Sequence, residues 1–190
     1  MGLYVKNSSP TLKDLIISNN IGYTSGNWGG YGGGVAFISS DSIVMNTLFV
    51  DNFADYYGGQ MYIASSSDIT LYNVEFVDGG TYGTQATGYG GGIAVGSSTK
   101  VTGYNVIISG NKSRYYGGAI IHQGSDLNLY NAVFIDNTAQ KGAAVYISGA
   151  TRMKFVNVDV SYNTATSGVG GAMRGSCTRD VSYSNFYGNG

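Results

Sequence analysis

Few side chains in this chain could do acid–base chemistry, and their spacing limits what they could do. Cleaving a glycan needs two carboxylates, or a carboxylate, a metal and a base, within reach of one bond. Asp51, Asp78 and Asp136 recur at one place in a repeating pattern, with Gly110 standing between the last two. Asp51 and Asp78 fall in consecutive repeats, so this pair could share a proton or hold Ca²⁺. The simpler reading makes them solvated turn carboxylates that cap local backbone. Glu75 and Asp159 also face outward in the pattern, but too many repeats separate them to cooperate. His122, the single histidine, stands where other repeats carry Ile63, Val95 and Ile147. No carboxylate in its own repeat is placed to orient it, and it reads as a neutral imidazole at the core edge. One His and one Cys cannot assemble a transition-metal site. Cys177 has no partner for a disulfide and is expected to be buried. The expectation is no catalytic set and no cofactor, with Ca²⁺ at the two aspartates as the one ion to consider.

Binding chemistry is better supplied. The chain holds 17 tyrosines and a single tryptophan. Tyr31, Tyr57, Tyr89 and Tyr116 precede glycine pairs in four successive repeats, and Tyr72, Tyr104 and Tyr130 form a second column. Stacked tyrosines steady a coil stack as cross-strand aromatic pairs do, by ~0.2–1 kcal/mol each. Exposed rows of rings also suit sugars or a protein partner. The candidate contacts are Tyr62 and Tyr146, which project outward from their strands, and Tyr23, Trp28 and Tyr82. The last three lie on two insertions, residues 21–31 and 80–89, predicted to leave the fold at the same bend.

The elements that position these side chains follow from an internal repeat. Glycine pairs or Gly-Ala stand at Gly32-Gly33, Gly58-Gly59, Gly90-Gly91, Gly117-Gly118, Gly142-Ala143 and Gly170-Gly171, spaced by 26, 32, 27, 25 and 28 residues. Each opens the same phrase, filled by Val35/Phe37, Met61/Ile63, Ile93/Val95 and Val145/Ile147. A second phrase begins at Asn46, Asn73, Asn105, Asn131 and Asn157, each followed by an alternating apolar pair such as Val74/Phe76. Six residues after those asparagines come Asn52, Gly79, Asn111, Asn137 and Asn163. Apolar residues alternate with a period of two, which predicts strands, and no window carries a helical period. Each repeat is expected to hold three short strands, for example Met61–Ile63, Ile69–Leu71 and Val74–Phe76. Such a unit cannot bury its apolar side alone, but stacked copies can. The fold expected is all-β: a right-handed parallel β-helix, a solenoid of about seven coils of 25–28 residues. Residues 1–190 form one domain, with a partial first coil over 1–20. The first set of asparagines should form a ladder, because Asn tolerates left-handed backbone and hydrogen-bonds its copies in neighbouring coils.

Gly117-Gly118-Ala119-Ile120 with Phe134-Ile135-Asp136-Asn137 resembles the two halves of the repeat of the polymorphic outer-membrane proteins. Phe49-Val50-Asp51-Asn52 and Phe186-Tyr187-Gly188-Asn189 match the second half. The resemblance extends to the wider pectate-lyase-like superfamily of right-handed β-helices. It implies a cell-surface or secreted module for adhesion, scaffolding or filament-like assembly, and transfers no catalytic residue. The alternative it implies is a polysaccharide lyase or hydrolase.

Charge and hydropathy bound the partners. Ten Lys and Arg against 11 Asp and Glu leave a net charge of −1, which does not suit nucleic acid or anionic lipid. No apolar run is long enough for a membrane-spanning helix, and the first residues do not read as a signal peptide. The expected partner is therefore a protein or glycan at a cell surface, or further copies stacked end to end on open terminal coils. Asn7-Ser8-Ser9 and Asn111-Lys112-Ser113 match glycosylation acceptors.

Overall fold

The computed structural model describes residues 1–23, 30–82 and 88–190. Among these every regular element is a strand. All the pairings are parallel, and they join each strand to its counterpart one repeat away. The strands form three sheets of seven, nine and six strands running along one axis. The seven strands of the first sheet count the coils, and residues 1–22 supply strands to all three sheets.

The first sheet consists of Leu3–Lys6, Val35–Ile38, Met61–Ala64, Ile93–Val95, Ile120–His122, Val145–Ile147 and Met173–Arg174. The glycine phrase sets its start. Gly32, Gly58, Gly90, Gly117, Gly142 and Gly170 all have φ between +59° and +74°, a region that costs a residue with a Cβ. The glycine that follows is required by close approach: a Cβ on Gly118 would lie 2.6 Å from the carbonyl oxygen of Ala143 in the next coil.

The second sheet corrects the expected strand boundaries. Ser42–Val50, Asp68–Val77, Lys100–Ser109, Asp126–Ile135 and Arg152–Ser161 each run unbroken through the asparagine thought to separate two strands. One left-handed residue, with φ from +48° to +56°, bends the strand without ending its ladder. Only the outermost coils break there, into Thr11–Lys13 with Ile16–Ser18 and Thr178–Ser182 with Asn185–Tyr187. The third strand of each coil lies elsewhere, in Ile21–Gly22, Phe53–Ala54, Gly80–Thr81, Lys112–Ser113, Thr138–Lys141 and Thr164–Val169. Elements as short as Gly80–Thr81 are too brief to show alternation, so the sequence pattern does not reveal them.

The inward residues stack in register. Phe49, Phe76, Ile108, Phe134 and Val160 are paired coil to coil and wholly buried. The Phe49 and Phe76 rings stack at 4.9 Å. Two polar ladders flank this column. The outer one is the expected ladder: Asn46 donates to Asp14, Asn73 to Asn46, Asn105 to Asn73, Asn131 to Asn105 and Asn157 to Asn131, at 2.8–3.3 Å. Its members are exposed. The inner ladder runs Asn111, Asn137, Asn163, Asn189, the first three buried and the last half-buried, with amide-to-amide bonds of 2.9–3.2 Å. Each inner amide also bonds a carbonyl in its own coil and one in the coil before, as Asn111 does with Ser109 and Phe76. Buried backbone groups at the bend are satisfied in this way.

Gly79 interrupts the inner ladder, and Gln60 fills the gap. The Gln60 Oε1 accepts from Asn52 Nδ2 at 2.6 Å, and its Nε2 donates to the Val77 carbonyl at 2.6 Å. A Cβ on Gly79 would lie 2.5 Å from the Gln60 side chain, so the two residues occupy one site between them.

Candidate binding surface

The outer face of the first sheet carries the column Ala36, Tyr62, Ala94, Ile121, Tyr146 and Arg174, in the register the repeat predicts. Ala36, Ala94 and Ile121 are nevertheless buried, although the alternation projects them outward. The reason is the left-handed glycine turn before each strand, which folds back over this column. A Cβ on Gly32 would lie 3.0 Å from Ala36 Cβ, and one on Gly90 would lie 2.9 Å from Ile121 Cγ2.

Tyrosines complete the cover. Tyr31, Tyr57, Tyr89 and Tyr116 form bridges from coil to coil. The rings of Tyr31 and Tyr57 are parallel within 1° at 5.7 Å. Tyr62 packs 4.9 Å from Tyr31, and Tyr146 stacks 4.3 Å from Tyr116. Lys141 continues the row and sets its ammonium 5.8 Å from the Tyr116 ring. Both strand tyrosines are thus half-buried parts of an aromatic layer rather than isolated rings. Burial pushes the Tyr62 phenol up to about 12, with smaller contributions from the Tyr31 and Tyr57 phenols. Burial likewise raises Tyr57 and Tyr89. These hydroxyls stay protonated at any physiological pH and act as neutral hydrogen-bonding groups.

A shallow groove of about 470 Å³ opens where this layer meets the turn into the second sheet, lined by Tyr31, Tyr57, Tyr62 and a run of serines. Ser65 and Ser66 also line a second groove, of about 660 Å³, which runs toward the first coil. The serines repeat as Ser39-Ser40, Ser65-Ser66-Ser67 and Ser97-Ser98. The residue that closes each run is structural: Ser40, Ser67 and, after Ser98, Thr99 are buried.

Tyr72, Tyr104 and Tyr130 stack on the second sheet at 5.2 and 5.1 Å, with Lys154 Nζ 5.9 Å from the last ring. Tyr23 and Tyr82 stand one residue beyond strands that flank Phe53–Ala54 in the third sheet. They are 62% and 57% exposed, and Tyr82 stacks on Phe53 at 4.7 Å. Trp28, with the rest of 24–29 and 83–87, lies outside the described residues.

Asp51 and Asp78 hold equivalent places in neighbouring coils, set by the Asp51 N–H bond to the Val77 carbonyl, and Asp136 lies two coils further on. Asp51, Asp78 and Asp136 are exposed residues at left-handed turn positions, with φ from +53° to +57°. Among the described residues no three His, Cys, Asp or Glu side chains converge on one point. His122 is wholly buried; its Nε2 faces the Arg152 carbonyl at 3.0 Å, while Nδ1 has no hydrogen-bond partner. Burial lowers its pKa, against smaller upward pulls from the Arg152 carbonyl and Asp126. Cys177 is half-buried, packed against the edge of the core rather than inside it. Asn111 is wholly buried and belongs to the inner ladder, which denies that acceptor motif to a glycosyl donor.

Among protein families, the model described as right-handed beta helix region matches residues 1–134 of the chain. Neither curated proteins nor solved structures give a match.

Proposed function

The chain belongs to the right-handed β-helix family, and on that premise we propose that it is a binding and scaffolding module of a cell surface or secreted protein, not an enzyme. The observation that carries this reading is the aromatic layer on the first sheet, formed by Tyr31, Tyr57, Tyr62, Tyr89, Tyr116 and Tyr146. Aromatic rings held rigidly at coil spacing present an amphipathic surface with little rotamer entropy left to lose on binding. The likeness of Gly117–Ile120 and Phe134–Asn137 to polymorphic outer-membrane protein repeats supports the surface placement. A partner of this kind is a glycan or an extracellular protein.

Arrays of glycans and matrix proteins, probed with the labelled chain and with Tyr57→Ala and Tyr89→Ala, test the reading. Binding that falls in both variants, without loss of the β circular-dichroism signal, supports it. Silence of the unmodified chain across both arrays overturns it. So does release of reducing or unsaturated sugar from polyuronates that is abolished by Asp51→Asn or Asp78→Asn.

A further inference from the structure

The second sheet turns an apolar strip outward between the asparagine ladder and the bend at Asp51. Register sets Leu48, Glu75, Ile107, Val133 and Asp159 in one outward column. Val50, Val77, Ser109 and Ile135 stand in the next. Ile16 of the first coil extends the first column and is 73% exposed, and Ile107 is 38% exposed. The other aliphatic side chains here are half-buried by their neighbours alone, with no core on this side. Aliphatic residues in adjoining rungs make an apolar patch that faces water, the mark of an interaction surface. A groove of about 530 Å³, lined by Ile16, Leu48, Asn73 and Glu75 among others, follows its ladder edge.

Carboxylates frame the strip. Asp14, Asp51, Glu75, Asp78, Asp136 and Asp159, six of the chain's 11 acidic residues, stand in it or on the bends that border it. Neither those bends nor the columns between them hold a Lys or Arg. Among the described residues Lys13, 3.6 Å from Asp14, is the one basic side chain ion-paired to any of the six. The net charge of −1 therefore hides a locally acidic face. Such a face repels anionic lipid and the same face of a second copy, and it attracts an apolar surface edged with Lys or Arg.

The dimensions fit one helix. From Asn46 to Asp51 the strand covers about 16 Å at ~3.3 Å per residue, and the strip runs about 24 Å from the first coil to the sixth at ~4.8 Å per coil. An α-helix about 10–12 Å across fills that width, and about 16 residues of it fill the length. Its pitch of about 5.4 Å is close to the coil spacing, so apolar side chains one turn apart fall near successive rungs.

We propose that this strip docks a single cationic amphipathic α-helix of a partner protein, laid along the coil stack. Leu48, Ile107 and Val133 meet its apolar stripe, and the framing carboxylates meet its Lys and Arg. The strip lies on a different sheet from the tyrosine layer, so this contact is a second one and does not depend on the first.

Fluorescence anisotropy on the full chain tests it, with a labelled helical peptide of about 16 residues that carries leucine on one face and lysine on the other. A peptide with the same lysines and serine for every leucine is the control. The leucine peptide should bind, more weakly as salt rises, and the control should bind at least about tenfold less tightly. Glu75→Lys and Ile107→Ser, both outward changes that keep the β circular-dichroism signal, should each weaken binding about tenfold. Asp180→Lys, a charge reversal elsewhere on the same sheet, should leave it unchanged. Equal binding of the two peptides reduces the strip to a diffuse acidic surface and overturns the proposal. So does no binding of the leucine peptide, or binding indifferent to Glu75→Lys and Ile107→Ser. Self-association of the chain that Ile107→Ser abolishes assigns the strip to a second copy and overturns it too.

Discussion

Gln60 and Gly79 share one place in the inner ladder, so their substitutions should be destabilising singly and mild together. In Gln60→Ala the Val77 carbonyl and the Asn52 Nδ2 each lose a buried partner. Each keeps a second bond, the Val77 carbonyl from the Asp51 N–H and the Asn52 Nδ2 to the Ile17 carbonyl, so the loss is that of two buried hydrogen bonds, about 1–3 kcal/mol in total. Alanine itself fits there, since Ala119 and Ala144 hold the corresponding position before the strands at Ile120 and Val145. Gly79→Asn alone places its Cβ 2.5 Å from Gln60, an overpacking worth about 1–3 kcal/mol. The double variant restores the rung that Asn111 and Asn137 form in later coils. Gly79 does not have a positive φ, so Asn enters without backbone strain. The double variant should therefore lie within about 1 kcal/mol of the natural chain, an interaction energy of the size that contacting pairs show. Urea unfolding followed by circular dichroism reads the midpoints, with the slope checked for loss of cooperativity along the repeat. Additive losses in the double variant would refute the shared-rung account.

Other outcomes follow from the same geometry. Phe76→Ala empties a core ring position in contact with Phe49 and should cost ~3–5 kcal/mol in urea unfolding; a loss below ~1 kcal/mol would place the ring at the surface. Asn105→Ala puts a Cβ without a polar tip at φ +55° and breaks two ladder bonds; the backbone alone costs about 1–2 kcal/mol, and Asn105→Gly should recover that part. His122 has a folded-state pKa below its ordinary value of 6.5, so the unfolded chain binds the extra proton. Its contribution is present above that value and is lost as pH falls from 6.5 toward the lowered one, so stability should decline across that window. Val95 and Ile147 hold the paired positions in adjacent coils, and His122→Val should remove this part of the slope in thermal melts at a series of pH values.

The repeat was legible because a solenoid writes its own register. One phrase must recur at coil spacing for strands to pair, so Phe49, Phe76 and Phe134 could be set in one column, and Asn46 through Asn157 in another, from spacing alone. Left-handed positions were legible at Gly and Asn because few residue types tolerate them. What alternation could not tell was which outward residues meet water. Ala36, Ala94 and Ile121 point away from the core and are still covered, because the left-handed glycine turn that folds over them is set by backbone torsions, not by residue polarity. The strand count per coil was right while the strands were misplaced, since a left-handed Asn bends a ladder without breaking it and a two-residue strand has no period. Gln60 stands where other coils carry Gly34, Gly92, Ala119 and Ala144, and could be matched to Gly79 only once the coils were stacked. The sequence determined the coil and its register through local periodicity. Tertiary structure alone decided the packing of Tyr62 and Tyr146 into the aromatic layer and the rescued rung, because each joins residues of different coils whose contact depends on how the turns fold back.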